Sequence, residues 1–495
     1  MALLALSACA SLPKGIEPLP DQFALPPATT GLLADMDASI AHTHEPDQSG
    51  FWLLDKNADA LTWRLALIDE AVSSLDLMYY VWYDDDSGGL LLRRAIQAAN
   101  RGVKVRLVVD DVLLIGKDKT LVALHEQPNI QFRIFNPWRN RIAGRGVEFV
   151  GRFDQLNTRM HNKLLIADNH ATILGGRNIG DFYFGLSHSY NFHDLDVLGI
   201  GPVARQASDM FDHFWNSSWV ISASALPQKV DDKYVARKSQ QLIERIQAAE
   251  SLAGFDLEPQ NWTDELNQLS GELKFGSSEF IYDKIENGEL VEGVTGPMGA
   301  ILKSAEHEIL LANAYIIPDQ SFIDEINHLT GKGVRVRILT NSLASHDVPA
   351  VNSHYQKWRI PIVEAGAELY ELRRDPAIKS RVDTPPVSSK FTGLHTKAFV
   401  VDRHKVFIGS MNFDPRSVNI NTEMGVFIES AALGVEMAKL VNRDMGSENA
   451  WQVKLNEQGK LVWVNSDETV TRQPARNAWQ RFMDGFFKIF PKSQF

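Results

Sequence analysis

Hydrophobic and polar positions along the chain fall into two long stretches with the same internal order. Residues 60–72 carry apolar side chains at helical spacing, 75–82 read as a strand, 89–99 as a helix, and 103–109 alternate as a strand. The order returns later: a helix begins in 300–304, 308–314 are apolar and extended, 321–329 are helical and 334–339 form a strand. Each stretch then reaches an unbroken apolar run, 164–167 and 398–401, short enough for a buried strand and followed by a second short strand. Strands separated by helical crossovers predict an α/β fold of two pseudo-symmetric α/β/α sandwich domains, each around a largely parallel or mixed sheet. The polar stretch 228–271, with a helical segment at 238–251, marks the junction. The divisions expected are 1–30, 31–251 and 252–495 with a C-terminal extension.

The repeat is chemical as well as structural. His161-x-Lys163 leads into its apolar run and Asp168, and His395-x-Lys397 into its own run and Asp402; Gly-x-x-Asn follows each at the same interval, ending at Asn178 and Asn412. In extended backbone, residues i and i+2 project from one face, so an imidazole and an ammonium converge on one point. A phosphate group fits that pair. One His-x-Lys is weak as a signal, since a lone strand histidine is usually structural; two copies with identical spacing are not expected from packing alone. The segment Arg101-Gly-Val-Lys-Val-Arg-Leu107 also matches Lys332-Gly-Val-Arg-Val-Arg-Ile338, which supports an internal duplication.

These motifs resemble those of the phospholipase D superfamily, in which two such motifs meet across a pseudo-twofold axis to build one site. From about Ser49 onward the chain is similar to the bacterial cardiolipin synthase branch, its C type in particular. Leu77-Met-Tyr-Tyr-Val-Trp82, the segment Arg101 to Asp111, Phe413-Asp-Pro-Arg-Ser417 and Asn421-Thr-Glu423 carry that likeness. The resemblance implies a phosphatidyltransferase forming cardiolipin through a covalent phosphohistidine. In that reading His161 is the nucleophile and His395 the acid and base, although pseudo-symmetry permits the reverse. Lys163, Lys397, Asn178 and Asn412 would hold the phosphoryl oxygens without a metal or cofactor. Glu423 and Asp194 would orient the histidines, with Asp196 competing for the second place. Asp168 and Asp402 are expected to support from behind or to be structural. The implied substrates are phosphatidylglycerol and phosphatidylethanolamine at a membrane surface, with room for a small accessory protein. A secreted phospholipase D releasing phosphatidic acid is the alternative, and a non-catalytic lipid-binding scaffold a weaker one. The two histidines should titrate as a coupled pair and give a bell-shaped pH profile.

Composition narrows this further. The 495 residues, 44% hydrophobic and 23% charged, suffice for two full cores, and the net charge of −12 argues against a nucleic-acid partner. Any positive site must be local, with Arg177 as a contributor beside the lysines and Arg416 either joining it or holding its own loop. The single cysteine, Cys9, closes Leu6-Ser-Ala-Cys9 in a way that resembles a bacterial lipobox. That implies lipidation at Cys9 and a membrane tether facing the periplasm of a Gram-negative bacterium. Only eight residues precede it and none is basic, so the true start is expected to lie upstream. Proline-rich residues 12–30 suit a flexible tether, and no apolar stretch is long enough to span a bilayer. The aromatic, basic segment 479–490 suits either a lipid surface or its own domain. Asp110-Asp111 and His346-Asp347 sit where strand ends face a site and could shape a lipid or acceptor pocket, although loop capping accounts for them equally well, whereas His170, His193 and His404 are read as structural.

Overall fold

The computed structural model of the chain describes residues 12, 16, 19–141, 145–487 and 489, without the side chains of 145–147. Cys9 therefore lies outside the described residues. The first half supplies β1 (Gln48–Leu54), β2 (Ser74–Tyr79), β3 (Lys104–Asp110), β4 (Ile130–Phe135), β5 (Lys163–Ala167), β6 (Ala171–Gly175), β7 (Asn191–His193), β8 (Asp196–Ile200) and β9 (Val220–Ser222). The second supplies β10 (Lys274–Tyr282), β11 (Lys284–Glu286), β12 (Glu289–Val291), β13 (Glu308–Asn313), β14 (Arg335–Asn341), β15 (Glu368–Leu372), β16 (Thr392–Leu394), β17 (Lys397–Val401), β18 (Lys405–Gly409) and β19 (Met424–Glu429). It closes with β20 (Ala450–Leu455), β21 (Leu461–Val464) and β22 (Thr469–Val470).

Both halves share one 18-stranded sheet, joined where β1 runs antiparallel to β10 with Ser49 opposite Gly276. Outward from that seam the first half runs β1-β8-β6-β5-β2-β3-β4-β9 and the second β10-β19-β18-β17-β13-β14-β15-β20. Each series has antiparallel strands near the seam, a parallel trio beyond and an antiparallel strand after it, which is a pseudo-twofold arrangement. The mixed sheet expected from the crossovers is present. The sheet's continuity across the halves was not legible, because β1 and β10 are edge strands of their own repeats and only their pairing closes the seam.

Local sequence explains the repeat. The helices Asp86–Asn100 and Gln320–Gly331 carry β2 to β3 and β13 to β14, and each starts at an aspartate, Asp85 or Asp319, that accepts a backbone N–H of the first turn. The runs in β5 and β17 are apolar throughout because both faces are covered. One core spans the seam, where Phe211, Phe214 and Trp215 of helix Pro202–Trp215 and Met437 and Val441 of helix Ala431–Asp444 pack over strands of both halves. Separate cores fill the outer parts of each half.

Two expected boundaries shift. Helix Thr263–Glu272 buries Leu266 and Leu269 in the first half's core, so that half's packing continues past Leu252 to Leu273. Part of the expected tether is pinned: Gln22 N–H donates to Asn216 Oδ1 at 2.9 Å, Ala24 N–H to Asp212 Oδ2 at 2.7 Å and Ala28 N–H to the Asp168 carbonyl at 3.1 Å. Proline content signals an extended chain but does not say whether that chain finds partners. Among the described residues no helix is long and apolar enough to cross a membrane.

Candidate active site

The two motif segments meet at the pseudo-twofold axis through two short parallel pairings. Met160 bridges Thr422, and β7 pairs with β16. His161 N–H donates to the Thr422 carbonyl at 3.0 Å, and His395 N–H to the His193 carbonyl at 2.8 Å. Each pairing lays a histidine of one half beside the residue following its partner in the other half. Nδ1 of His161 thus lies 3.0 Å from both carboxylate oxygens of Glu423, and Nδ1 of His395 lies 2.7 Å from Asp194 Oδ2. The carboxylates are exchanged between halves. With Nδ1 so engaged, Nε2 is the ring atom each histidine offers to a ligand.

Both lysines are buried and donate to the carbonyl of the histidine two residues earlier. Their Nζ atoms also sit over tyrosine rings, Lys163 at 5.4 Å from Tyr80 and Lys397 at 5.7 Å from Tyr315. Aromatic edges frame the imidazoles: Tyr80 beside His161 at 5.2 Å, and Tyr183 and Phe192 beside His395 at 5.3 and 4.8 Å. Burial lowers Lys163 well below the ordinary lysine range and brings Lys397 to about 8, despite the two carboxylates. An anion entering here would favour the charged form of both lysines.

The two His–carboxylate pairs differ electrostatically. Burial, with Lys163 and Lys397 adding, holds His161 well below the usual histidine range, and burial pushes Glu423 well above the usual carboxylate range. Burial also acts on Asp194, but His395, Lys397 and Arg177 outweigh it and keep that carboxyl well below its ordinary value. His395 is lowered by burial and Lys397 while Asp194 pulls it back up. Asp194 is thus an anion poised for an imidazolium, whereas Glu423 faces an imidazole that burial keeps neutral. Gly176 makes this packing feasible, since a Cβ there would stand 2.3 Å from Asp194 Oδ1; at the equivalent place Ser410 donates its hydroxyl to Glu423.

Residues 65–215 and 298–446 match the family described as cardiolipin synthase, PLD-like domain. The chain is 34% identical to cardiolipin synthase C of Escherichia coli strain K12, over 91% of this chain and 96% of that one. The chain belongs to the phospholipase D-like cardiolipin synthase family. An uncharacterized protein of Helicobacter pylori strain 26695 is 31% identical over 91% of this chain and 90% of its own length. In fold, a phosphatidylserine synthase of Haemophilus influenzae Rd KW20 is similar with a TM-score of 0.55 at 14% identity, covering 83% of this chain and 91% of that one.

Against the family pattern, the other expected residues divide. Asn412 is buried and its Oδ1 meets no partner; since that oxygen only accepts, it is the Nδ2 donors of Asn412 that could serve a phosphoryl oxygen. Asn178 is occupied: Oδ1 accepts from Val81 N–H at 3.1 Å and Nδ2 donates to the Tyr183 hydroxyl at 3.0 Å. Arg177 is no phosphate ligand either, because Asn57, Asp196 and the carbonyls of Leu54, Tyr183 and Asp194 enclose its guanidinium. Asp196 pairs with Arg64 and Arg177, leaving Asp194 alone at the histidine. Arg416 holds its loop, donating to Asn157.

Asp168 and Asp402 lie at the far ends of β5 and β17, on positive-φ turns, and take no part in the cleft. Asp168 accepts the N–H groups of Val72, Ser73 and Ser74, and Asp402 those of Glu306, His307 and Glu308. The motif's aspartate thus fastens the start of the neighbouring strand, β2 or β13. Asp110 binds Arg159 and Asp111 binds Arg141, so both serve loops. His170 binds Asp37, His193 binds Asp444, and the His404 N–H closes a turn onto Val401. Sequence reasoning missed Tyr183, Tyr315 and the carboxylate exchange; tyrosines outside the motifs carry no spacing signal. Among the described residues no cluster of three or more His, Cys, Asp or Glu could hold a metal.

Proposed function

We propose that the chain is a phosphatidyltransferase that forms cardiolipin, with one catalytic site assembled from both halves. The observation that carries this is the pair of histidines, each anchored at Nδ1 by the other half's carboxylate and flanked by a buried lysine. His161, which burial keeps neutral, attacks the phosphorus of a donor lipid through Nε2. The bond from phosphorus to the head-group oxygen breaks as His395, its charge balanced by Asp194, hands that oxygen its proton. A primary hydroxyl of phosphatidylglycerol then gives its proton to His395 and attacks the phosphohistidine. The P–N bond breaks, the new diester leaves as cardiolipin, and His161 returns neutral.

Lys163, Lys397 and Asn412 suit the phosphoryl oxygens, whose charge grows in the transition state. Asn178 is a positioning residue in this reading, aiming the Tyr183 hydroxyl at the same group; burial keeps that phenol protonated. A phosphatidylglycerol or phosphatidylethanolamine donor, and lipid anchoring at Cys9 toward the periplasm, complete the proposal; the lipobox-like sequence supports the anchor. Incubating the protein with vesicles of both lipids and weighing the products tests it. Cardiolipin that disappears with His161→Ala supports the transferase, and phosphatidic acid alone would make the chain a hydrolase.

A further inference from the structure

The C-terminal helix Ala478–Phe487 is amphipathic with its faces reversed from the ordinary soluble pattern. Its polar side chains turn inward: Gln480 donates to the Leu343 carbonyl, and Asp484 accepts from Asn352 at 2.6 Å and Gln356 at 3.1 Å. Three of its large apolar side chains face out, while Met483 and Phe487 are half-buried. Trp479 is 66% exposed, Phe482 59% and Phe486 44%, and Ile489 just beyond is 74% exposed. Spacings of three and four residues place Trp479, Phe482 and Phe486 on one stripe, and Ile489 follows just past the helix. Trp479 stacks on Phe482 with ring centroids 5.3 Å apart, which joins these two rings into one apolar patch.

Charge and position say what covers it. From Arg472 to the C-terminus the sequence has five lysines and arginines and one aspartate, in a chain whose net charge is −12. This basic stretch, which flanks the aromatic stripe along the sequence, complements an anionic interface. The helix also rests on the rim of the cleft. Gln480 and Arg476 both reach the His346 carbonyl, His346 stacks on Tyr315 at 5.2 Å, and Tyr315 stands edge-on to His395 at 6.4 Å. In the first half, the short helices Arg145–Gly151 and Phe153–Asn157 after β4 also expose Val150 and Phe153.

We infer that this helix is the docking surface for an anionic phospholipid bilayer, with Trp479, Phe482, Phe486 and Ile489 entering the interface and Arg472 at its head groups. The choice of a bilayer as occupant rests on the lipid phosphatidyltransferase reading above. The test uses the full chain, flotation with vesicles of phosphatidylcholine or of an equal mixture with phosphatidylglycerol, and turnover of dispersed short-chain phosphatidylglycerol. The protein floats with the mixed vesicles, less so at high salt, and the triple variant Trp479→Ser, Phe482→Ser, Phe486→Ser partitions at least about tenfold more weakly. Turnover of the short-chain lipid stays within about twofold, since these side chains do not touch the cleft. Equal flotation of the triple variant overturns the inference, as does a wild-type dimer that the triple variant dissolves. Vesicle binding without turnover of either lipid leaves the docking surface standing and removes the phosphatidyltransferase reading.

Discussion

Replacing Asp194 by Asn removes a negative charge from the first half and should disable the acid contributed by the second. The two side chains have nearly the same shape, and the substitution weakens the 2.7 Å pairing with His395 Nδ1. Against its own burial, Asp194 is held ionised by His395, Lys397 and Arg177, and in turn it raises His395. A hydrogen bond to a charged group contributes about 1.5–3 kcal/mol. At about 1.4 kcal/mol per factor of ten, that corresponds to a loss of roughly 10- to 150-fold in kcat/KM near neutral pH. The sign of the pH effect follows from the same pairing: without the anion, His395 binds its proton less tightly, so the alkaline limb of the bell moves to lower pH. The acid limb, which reports His161 becoming neutral, stays in place. Steady-state rates across pH with monomeric short-chain phosphatidylglycerol measure this. An alkaline limb that stays put in Asp194→Asn, or that moves equally in Glu423→Gln, would refute the exchange of carboxylates as the source of the acid.

Other consequences concern stability and packing. Asp55 of the first half pairs with Arg381 and Arg443 of the second at 2.9 and 2.8 Å; burial alone would raise its carboxyl, and the two guanidinium groups bring it down to about 2. Its contribution, about 2 kcal/mol, is present above pH about 4 and lost as pH falls toward 2; Asp55→Asn should lower the urea midpoint at neutral pH and converge with the wild type in acid. Asp402→Ala removes the acceptor of three N–H groups and should cost about 2–4 kcal/mol in urea unfolding while the folded fraction keeps its specific activity. Gly176→Ser forces a Cβ against Asp194 and should cut activity at least about tenfold with a stability loss of about 1–3 kcal/mol, whereas Ser410→Gly should be milder in both assays.

Much of the machinery was legible because chemistry and periodicity coincide in the motifs. The strand after each lysine, the crossover helices and the two histidines followed from apolar runs and spacing, which local physics controls. Asp168 and Asp402 were expected to support the histidines from behind or to be structural, and they are turn residues whose carboxylates cap a neighbouring strand; spacing along one chain cannot tell those two roles apart. Arg177 looked available for phosphate, but its partners come from segments as distant as Leu54 and Asn57. The exchange of Glu423 and Asp194 depends on how the halves face each other, and no signal within either half encodes that. The C-terminal helix was ambiguous for a related reason: Gln480 and Asp484 reverse the usual inside and outside because they meet polar partners on residues 343–356.

A covalent phosphohistidine at His161, in a site shared by both halves, is the step on which the proposed chemistry depends. Acid-free quenching during turnover of phosphatidylglycerol, followed by mass mapping of the Met160–Lys163 segment, tests it most directly. The expected result is a phosphatidyl adduct on His161 that vanishes in His161→Ala and persists longer in His395→Ala, where the base for the second step is missing. An adduct on His395 instead, or full turnover by His161→Ala, would contradict it.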